Sequence, residues 1–320
     1  MAGGRRWGAL AFAMLCTASA PHDEKAACDR ACLSDLLDRY LAAFISHQPQ
    51  RAPFGTGLKI TENGAPIRVG GGAWQTVSGL GTYRMRAFDP VTGQAAYIGV
   101  LKEAGKSTMF ALRLKVDDRQ IGEVETVIAR VGLPGKEGQA AETLKSARPG
   151  FSETVPPRDR GSRAEMLAAA DSYYRGIELG TGKVVAFADD CHRIENGVPL
   201  VNNPDYHFDV VSPTGRELPN FAAMGCRQQF DTGFWSTDSV ADKRFPVVDT
   251  ERGVVVAFTR YRGHAKGNCA NVKGVGAVCP SHPTGRYDLD LVEWFHVRSG
   301  KIHEMESVWT VLPQHQGVGW

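Results

Sequence analysis

A nine-residue stretch occurs twice in this chain. Lys59-Ile60-Thr61-Glu62-Asn63-Gly64-Ala65-Pro66-Ile67 returns as His192-Arg193-Ile194-Glu195-Asn196-Gly197-Val198-Pro199-Leu200, with a shared Glu-Asn-Gly-x-Pro core. Asn-Gly tolerates positive φ at both positions and marks a tight turn, while the Pro two residues on removes a ladder donor. Each copy therefore ends one strand, opens a loop and delivers a carboxylate, Glu62 or Glu195, to the turn.

The surroundings repeat in the same order. Leu33, Leu36, Leu37, Tyr40, Leu41 and Phe44 recur at three- and four-residue spacing and place a helix over 34–46. Short extended segments follow at 58–61, 81–88, 95–103, 109–116 and 121–129, the last two joined as a hairpin across Asp117-Asp118-Arg119-Gln120. Residues 131–161, rich in Gly, Pro and charge, read as a linker with a short exposed helix near 140–145. The second half restarts with a helix at 163–179, a second helix or turn at 184–188, the Glu-Asn-Gly copy and a long irregular insertion at 202–224. Strands at 228–232, 254–262, 287–297 and 302–312 complete it. Trp74 and, past the insertion, Trp235 follow the two copies. A helix leading into antiparallel strands, twice, at a period of about 130 residues, is an α+β chain with a duplicated domain.

The ends and the composition narrow the function classes. The chain of 320 residues is 42% hydrophobic and 22% charged, enough for two globular domains. Its formal charge of +2, with no basic block or stripe, gives no footprint for nucleic acid. Residues 1–20 read as a secretory signal: Arg5 and Arg6, an apolar run from Trp7 to Cys16, then Ala18-Ser19-Ala20 as a cleavage site. That run is too short to span a membrane. The expected product is exported, periplasmic or secreted, with a first domain at 28–130 and a second at 162–313. Losing Cys16 leaves six cysteines in an oxidising compartment, for which spacing suggests Cys28–Cys32, Cys269–Cys279 and Cys191–Cys226 among fifteen pairings. A metal site on Cys269, Cys279 and His282 is the rival, though its spacing matches no standard Cys/His finger.

Phe187-Ala188-Asp189-Asp190, a strand carrying a carboxylate, and a closing hairpin with Gly300-Lys301-Ile302 together resemble the nuclear transport factor two-like superfamily, which includes ketosteroid isomerases and SnoaL-like polyketide cyclases. The resemblance covers both halves and implies two cones, each a long helix in a curved antiparallel sheet around an apolar cavity. It further implies Glu195 at the general-base position, Glu293 near the acid that donates to an oxyanion, and Tyr173 or Tyr174 near the Tyr that completes that hole. Fold likeness alone does not assign an activity.

In an apolar cavity a carboxylate's pKa rises toward neutrality, so it can take and return a proton, and a protonated acid beside a Tyr can stabilise an enolate. Such a pair needs no metal or organic cofactor. Alternation along 302–312 puts His303, Met305, Ser307 and Trp309 on one face, assigned to the cone because two glutamates would be costly there. Catalytic candidates are thus Glu195, Tyr173, Tyr174, Glu293, His192 and His303; substrate-binding candidates are Trp235, Met305, Ser307 and Trp309. The first unit offers Gly122, Val124, Thr126 and Ile128 on that face and Leu112 in place of Glu293, so the second cone carries the chemistry. Each residue also has a plainer role. The two glutamates cap turn amides, the histidines close hydrogen bonds, and the tyrosines and tryptophans pack.

Three functions remain open. The first is a lyase or isomerase acting on a small aromatic or polyketide-like molecule. The second is a non-catalytic carrier using the same cavity. The third is a structural tandem in which the cones pair through their outer faces as an internal pseudo-dimer, with homo-oligomerisation as an addition. There is no Gly-x-Ser-x-Gly elbow for a serine hydrolase, and Gly70-Gly71-Gly72 lacks the Lys and helix of a nucleotide loop.

Overall fold

The computed structural model describes residues 1, 3–4, 28–130, 137–235, 239–262, 269–281, 287–314, 316–317 and 319–320. The expected signal segment and His282 lie outside the described residues, apart from Met1, Gly3 and Gly4. Among those described, no helix is long and apolar enough to cross a membrane.

The first unit opens with α1 (Arg30–Ile45), whose N-cap Asp29 accepts from the Cys32 amide at 2.9 Å. Six strands follow: β1 (Phe54–Glu62), β2 (Ala65–Pro66), β3 (Val77–Asp89), β4 (Gln94–Glu103), β5 (Lys106–Asp117) and β6 (Gln120–Ile128). They form one sheet in the order β2-β1-β6-β5-β4-β3. The α1 stripe of Leu33, Leu36, Leu37, Tyr40 and Phe44 packs on its inner face against Tyr97, Phe110, Leu112 and Val124.

After α2 (Glu137–Thr143) comes α3 (Arg163–Leu179), opened by a Ser162/Glu165 capping box and closed by Gly180 at φ 59°. The second unit continues with β7 (Phe187–Glu195), β8 (Val198–Pro199), β9 (Val210–Val211), α4 (Cys226–Asp231), β10 (Ser239–Asp249) and β11 (Val254–Arg262). It ends with β12 (Ala270–Val272), β13 (Gly276–Pro280), β14 (Tyr287–Arg298) and β15 (Lys301–Pro313). Its main sheet runs β8-β7-β15-β14-β11-β10, the strand order of the first sheet, while β12, β13 and β9 form a separate three-stranded sheet. In both units the strand ending in Glu-Asn-Gly runs parallel to the last strand, β1 to β6 and β7 to β15. The sequence reading anticipated only antiparallel pairs.

The repeated motif has a repeated cause. Asn63 and Asn196 sit at φ 47° and 45°, which Asn tolerates better than most residues. Asn63 exchanges hydrogen bonds with the Ile128 backbone (2.7 and 3.2 Å), and Asn196 does the same with Trp309 (both 3.0 Å). Each turn is thereby clamped to the closing strand of its own sheet.

The outer faces of the two sheets pack on each other. Tyr83, Met85, Ile98, Met109 and Val127 meet Val247, Val256, Phe258, Trp294 and Val308 in one apolar cluster, which Phe151 from the connecting segment joins. At its edge two buried aspartates exchange partners. Asp89 accepts from the Val248 amide (3.0 Å) and pairs with Arg163 (2.7 Å); Asp249 accepts from the Phe88 amide (3.0 Å) and pairs with Arg30 (3.0 Å). The C-terminal Trp320 returns to the first unit, donating to Thr61 Oγ1 at 2.9 Å.

Two local expectations need correction. Residues 228–232 lie in or against α4, not in a strand: Gln229 and Phe230 are buried behind the cavity and Cys226 anchors the turn to β7, a tertiary demand that overrides a short apolar run. Of the helix or turn expected at 184–188, the turn is what forms, closed by Val185 N donating to Gly182 O (3.2 Å), and Phe187 and Ala188 already begin β7. The strict alternation assumed along β15 fails at a bulge, because Val297 pairs with Ile302 but His296 pairs with Glu304. Ile302 therefore faces the cone core and His303 does not, while Met305, Ser307 and Trp309 keep the inward face. The first unit carries the same bulge at Gly122.

Replacing Asp249 or Asp89 with Ala leaves a buried amide and an arginine without their shared acceptor. Each change is expected to cost about 2–4 kcal/mol in urea unfolding. A loss below about 1 kcal/mol would show that the exchange does not hold the units together.

Candidate functional site

The second unit encloses a cavity beside α3. A cavity of about 180 Å³ is lined by Tyr173 and Ile177 from α3, Arg193 and Glu195 from β7, and Leu200, Phe208, Phe234 and Trp235 from the segments beyond it. Tyr261, Leu289, Leu291, Glu293 and Trp309 supply the sheet wall. In the first cone Trp74 occupies the core instead, 5.5 Å from Tyr40, 5.2 Å from Phe44 and 6.2 Å from Phe54, centroid to centroid.

Strand register brings the polar groups together. Glu293 on β14 pairs with Ser307 on β15, and Ser307 pairs with Glu195 on β7, so the three lie in one row across the sheet. The next row holds Phe295, Met305 and Arg193. Glu195 and Arg193 thus share one face of one strand at a spacing of two residues.

Glu293 is buried, 1% exposed, and accepts from Thr259 Oγ1 (2.9 Å) and Tyr261 Oη (3.0 Å). Burial pushes its carboxyl up to about 7, against the three surrounding hydroxyls of Tyr174, Thr259 and Tyr261 that favour the charged form; Glu195 adds to the rise. Burial also raises Tyr174 and Tyr261 well above the ordinary phenol value, with the Glu293 charge acting in the same direction. The Tyr174 hydroxyl faces Glu293 but lies outside ordinary hydrogen-bond geometry.

Glu195 is held differently. Its Oε1 accepts from Arg193 Nε (3.1 Å) and Nη2, and its Oε2 from Trp309 Nε1 (3.2 Å). Arg193 is 1% exposed, donates to Gln229 Oε1, and has its guanidinium 4.3 Å from the Trp235 ring centroid. Gln229 in turn donates to the Leu200 and Phe221 carbonyls (2.8 and 2.9 Å) and accepts from Trp235 Nε1 (3.0 Å). Every member of this network is positioned by another.

Of the catalytic candidates, Glu195, Glu293 and Tyr173 line the cavity, and Tyr174 packs behind it against Phe245 and Phe295. Trp235 and Trp309 form walls, Met305 lies in the adjoining core, and Ser307 is buried between the two glutamates with no partner for its hydroxyl among the described residues. His192 and His303 are elsewhere. The bulge turns His303 outward, where Nδ1 pairs with Asp190 at 2.7 Å. His192 points to the same outer side; burial lowers its pKa, Arg148 lowers it further and Asp190 opposes both. Arg193, Gln229, Thr259 and Tyr261 were not singled out from sequence. One signal for Arg193 was present: the first copy of the repeat has the core residue Ile60 at that position.

The cysteines form three disulfides, Cys28–Cys32, Cys191–Cys226 and Cys269–Cys279. Such bonds suit an oxidising environment. Cys191–Cys226 fastens α4, and with it Gln229, to the strand that carries Arg193 and Glu195. The third bond removes Cys269 and Cys279 from any metal role.

Residues 159–309, just under half of the chain, match a family described as Domain of unknown function (DUF8021). No curated protein sequence matches. Among solved structures, the chain is similar to a protein of unknown function with a cystatin-like fold from Methylobium petroleophilum PM1, at 17% identity over 33% of this chain and 82% of that one, TM-score 0.27. An NTF2-like protein of unknown function from Cytophaga hutchinsonii matches at 10% identity over 30% and 88%, TM-score 0.25. A candidate ketosteroid isomerase from Kribbella flavida matches at 12% identity over 37% and 91%, TM-score 0.24. Likenesses this distant carry no weight for the chemistry of the site.

Removing the Glu195 carboxylate leaves Arg193 buried and half-paired. Glu195→Ala is expected to lose about 3–5 kcal/mol of stability, and Arg193→Met with Glu195→Ala to recover most of it, by urea unfolding. The Glu293 pKa also fixes a sign. A carboxyl raised from 4.5 to about 7 on folding favours the folded state at low pH and loses that contribution as pH rises through about 7. The stability of Glu293→Gln relative to the parent should therefore increase between these two values and be flat above them.

Proposed function

We propose that the second unit is a cofactor-independent lyase or isomerase that moves a proton on a small aromatic molecule held in the cavity. The observation that carries this reading is Glu293, a buried carboxyl on the cavity wall with its pKa at about 7. A base of that strength is about half ionised at neutrality and basic enough to take a proton from a carbon acid. The sequence reading gave the base role to Glu195. Glu195 is held in an ion pair with Arg193 and serves as its counter-ion, so the base role goes to Glu293.

In this mechanism Glu293 removes a proton from carbon next to a carbonyl, and the electron pair moves onto the carbonyl oxygen. The Arg193 guanidinium, fixed by Glu195, Gln229 and Trp235, stabilises the enolate. Return of the proton from Glu293 to a different carbon completes an isomerisation; expulsion of a leaving group from the β-carbon completes a lyase reaction. Trp235, Trp309 and Tyr173 flank the ring, and Tyr261 and Thr259 set the carboxyl's orientation. The first unit, its core filled by Trp74, acts as a structural partner. Export of the protein rests on the leader-like residues 1–20 and the three disulfides.

A carrier without catalysis is the second reading. One observation favours it: both glutamates in the cavity already accept hydrogen bonds on both oxygens.

Incubation with a panel of enolisable aromatic ketones in deuterated water, read by mass spectrometry, separates the two. Exchange or cleavage by the parent, reduced at least about a hundredfold in Glu293→Gln, is expected. The pH profile of kcat/KM should rise about tenfold per unit to a plateau above about 7. Binding without exchange across the panel would leave the carrier.

A further inference from the structure

The size and charge of the cavity define its ligand more narrowly than the chemistry does. Resting on the reading above, we propose that the ligand is a non-anionic aromatic molecule of one ring or two fused rings, and that carboxylated and four-ring compounds are shut out.

Size is the first restriction. A dry cavity of about 150 Å³ is known to accommodate benzene. The space here is about 180 Å³, enough for one substituted ring or a compact bicycle and too small for a steroid or a polycyclic polyketide. Its walls are not free to part. Phe208 and Phe234 cover one side of the cavity, and Phe234 stacks on Phe221 at 4.5 Å. Phe221, Ala270, Val272 and Val278 form a small core of their own beneath this cap. The cap is tied down by the Cys269–Cys279 bond, by Lys273 N donating to Thr232 O (2.9 Å) and by Asn202 N donating to Met224 O (2.9 Å).

Charge is the second. The guanidinium of Arg193 is matched by Glu195, its further donor goes to Gln229, and one of its faces is covered by Trp235. Among the described lining residues Arg193 is the one cation, and Glu195 already matches its charge, so an incoming carboxylate would add net negative charge beside Glu195 and Glu293. An enolate adds none, because it takes its charge from Glu293 as that group is protonated. A carboxylate would give up its hydration for an unmatched site. A neutral ketone or phenol gives up little, gains contact with Tyr173, Trp235, Tyr261 and Trp309, and keeps an oxygen for the Arg193 and Glu293 groups.

Calorimetric titration of the full-length protein with acetophenone, 2-acetonaphthone, benzoate and a four-ring steroid ketone tests this directly. The two aromatic ketones are expected to bind at least about tenfold more tightly than the other two. Phe208→Ala, which removes part of the lining, should raise steroid affinity at least about tenfold. Benzoate or the steroid binding the parent as tightly as acetophenone would overturn the proposal, as would no binding of either aromatic ketone. Selective binding of the ketones with no deuterium exchange would sink the catalytic reading and leave this one standing.

Discussion

The structure depends on the burial of two sheet faces against each other. Neither sheet has an inner face left to cover the other side: each cone closes on its own helix, so Met85, Ile98, Val127, Val256, Trp294 and Val308 would be open to water in a single unit. Duplication within one chain supplies the cover. The exchanged aspartates fix how the faces meet, because Asp89 and Asp249 each satisfy a backbone amide in the opposite unit and an arginine at the start of the opposite unit's helix-bearing half. Buried carboxylates so placed are costly unless all partners are in position, which makes them a strong selector of one packing geometry. Glu306 differs: it is fully buried between the sheets, takes the Tyr83 hydroxyl on one oxygen while the other has no partner among the described residues, and burial pushes its carboxyl up to about 7.

With the pairing supplied by the outer faces, the inner faces are free to differ. The first cone fills its space with Trp74 against α1, and its Glu62 turns to the rim, where it accepts from Ala73 N and Arg130 (both 2.7 Å). The second cone keeps the space and places Arg193, Glu195 and Glu293 around it. An arginine 1% exposed is a heavy burden for a fold, tolerated here because Glu195, Gln229 and Trp235 hold it. The contrast between Ile60 and Arg193, and between Leu112 and Glu293, is where the two copies part in chemistry.

Much of this was legible in the residues. The Glu-Asn-Gly copies, the apolar helix stripes and the closing hairpins were enough for an α+β tandem, and the cysteine spacings suggested the three bonds that form. Of the residues singled out in sequence, Glu195, Glu293, Tyr173, Trp235 and Trp309 line the cavity. What failed was phase and tertiary context. A single bulge at His303 reverses the facing of the residues before it, and periodicity counted across a bulge cannot detect it. The helix α4 was read as a strand because six residues carry too little periodicity to distinguish the two. Gln229, Thr259 and Tyr261 gave no sequence signal, since their roles exist only through partners far away in the chain.

The central claim is that Glu293 is a proton-exchanging group in contact with a ligand space. The most direct measurement is the ¹³C shift of its side-chain carboxyl, assigned by comparison with Glu293→Gln and followed across pH with and without acetophenone. A midpoint near 7 that moves when the ketone is added is the expected result. A midpoint at the ordinary glutamate value, about 4.3, or one that ignores every ligand that binds, would contradict the account.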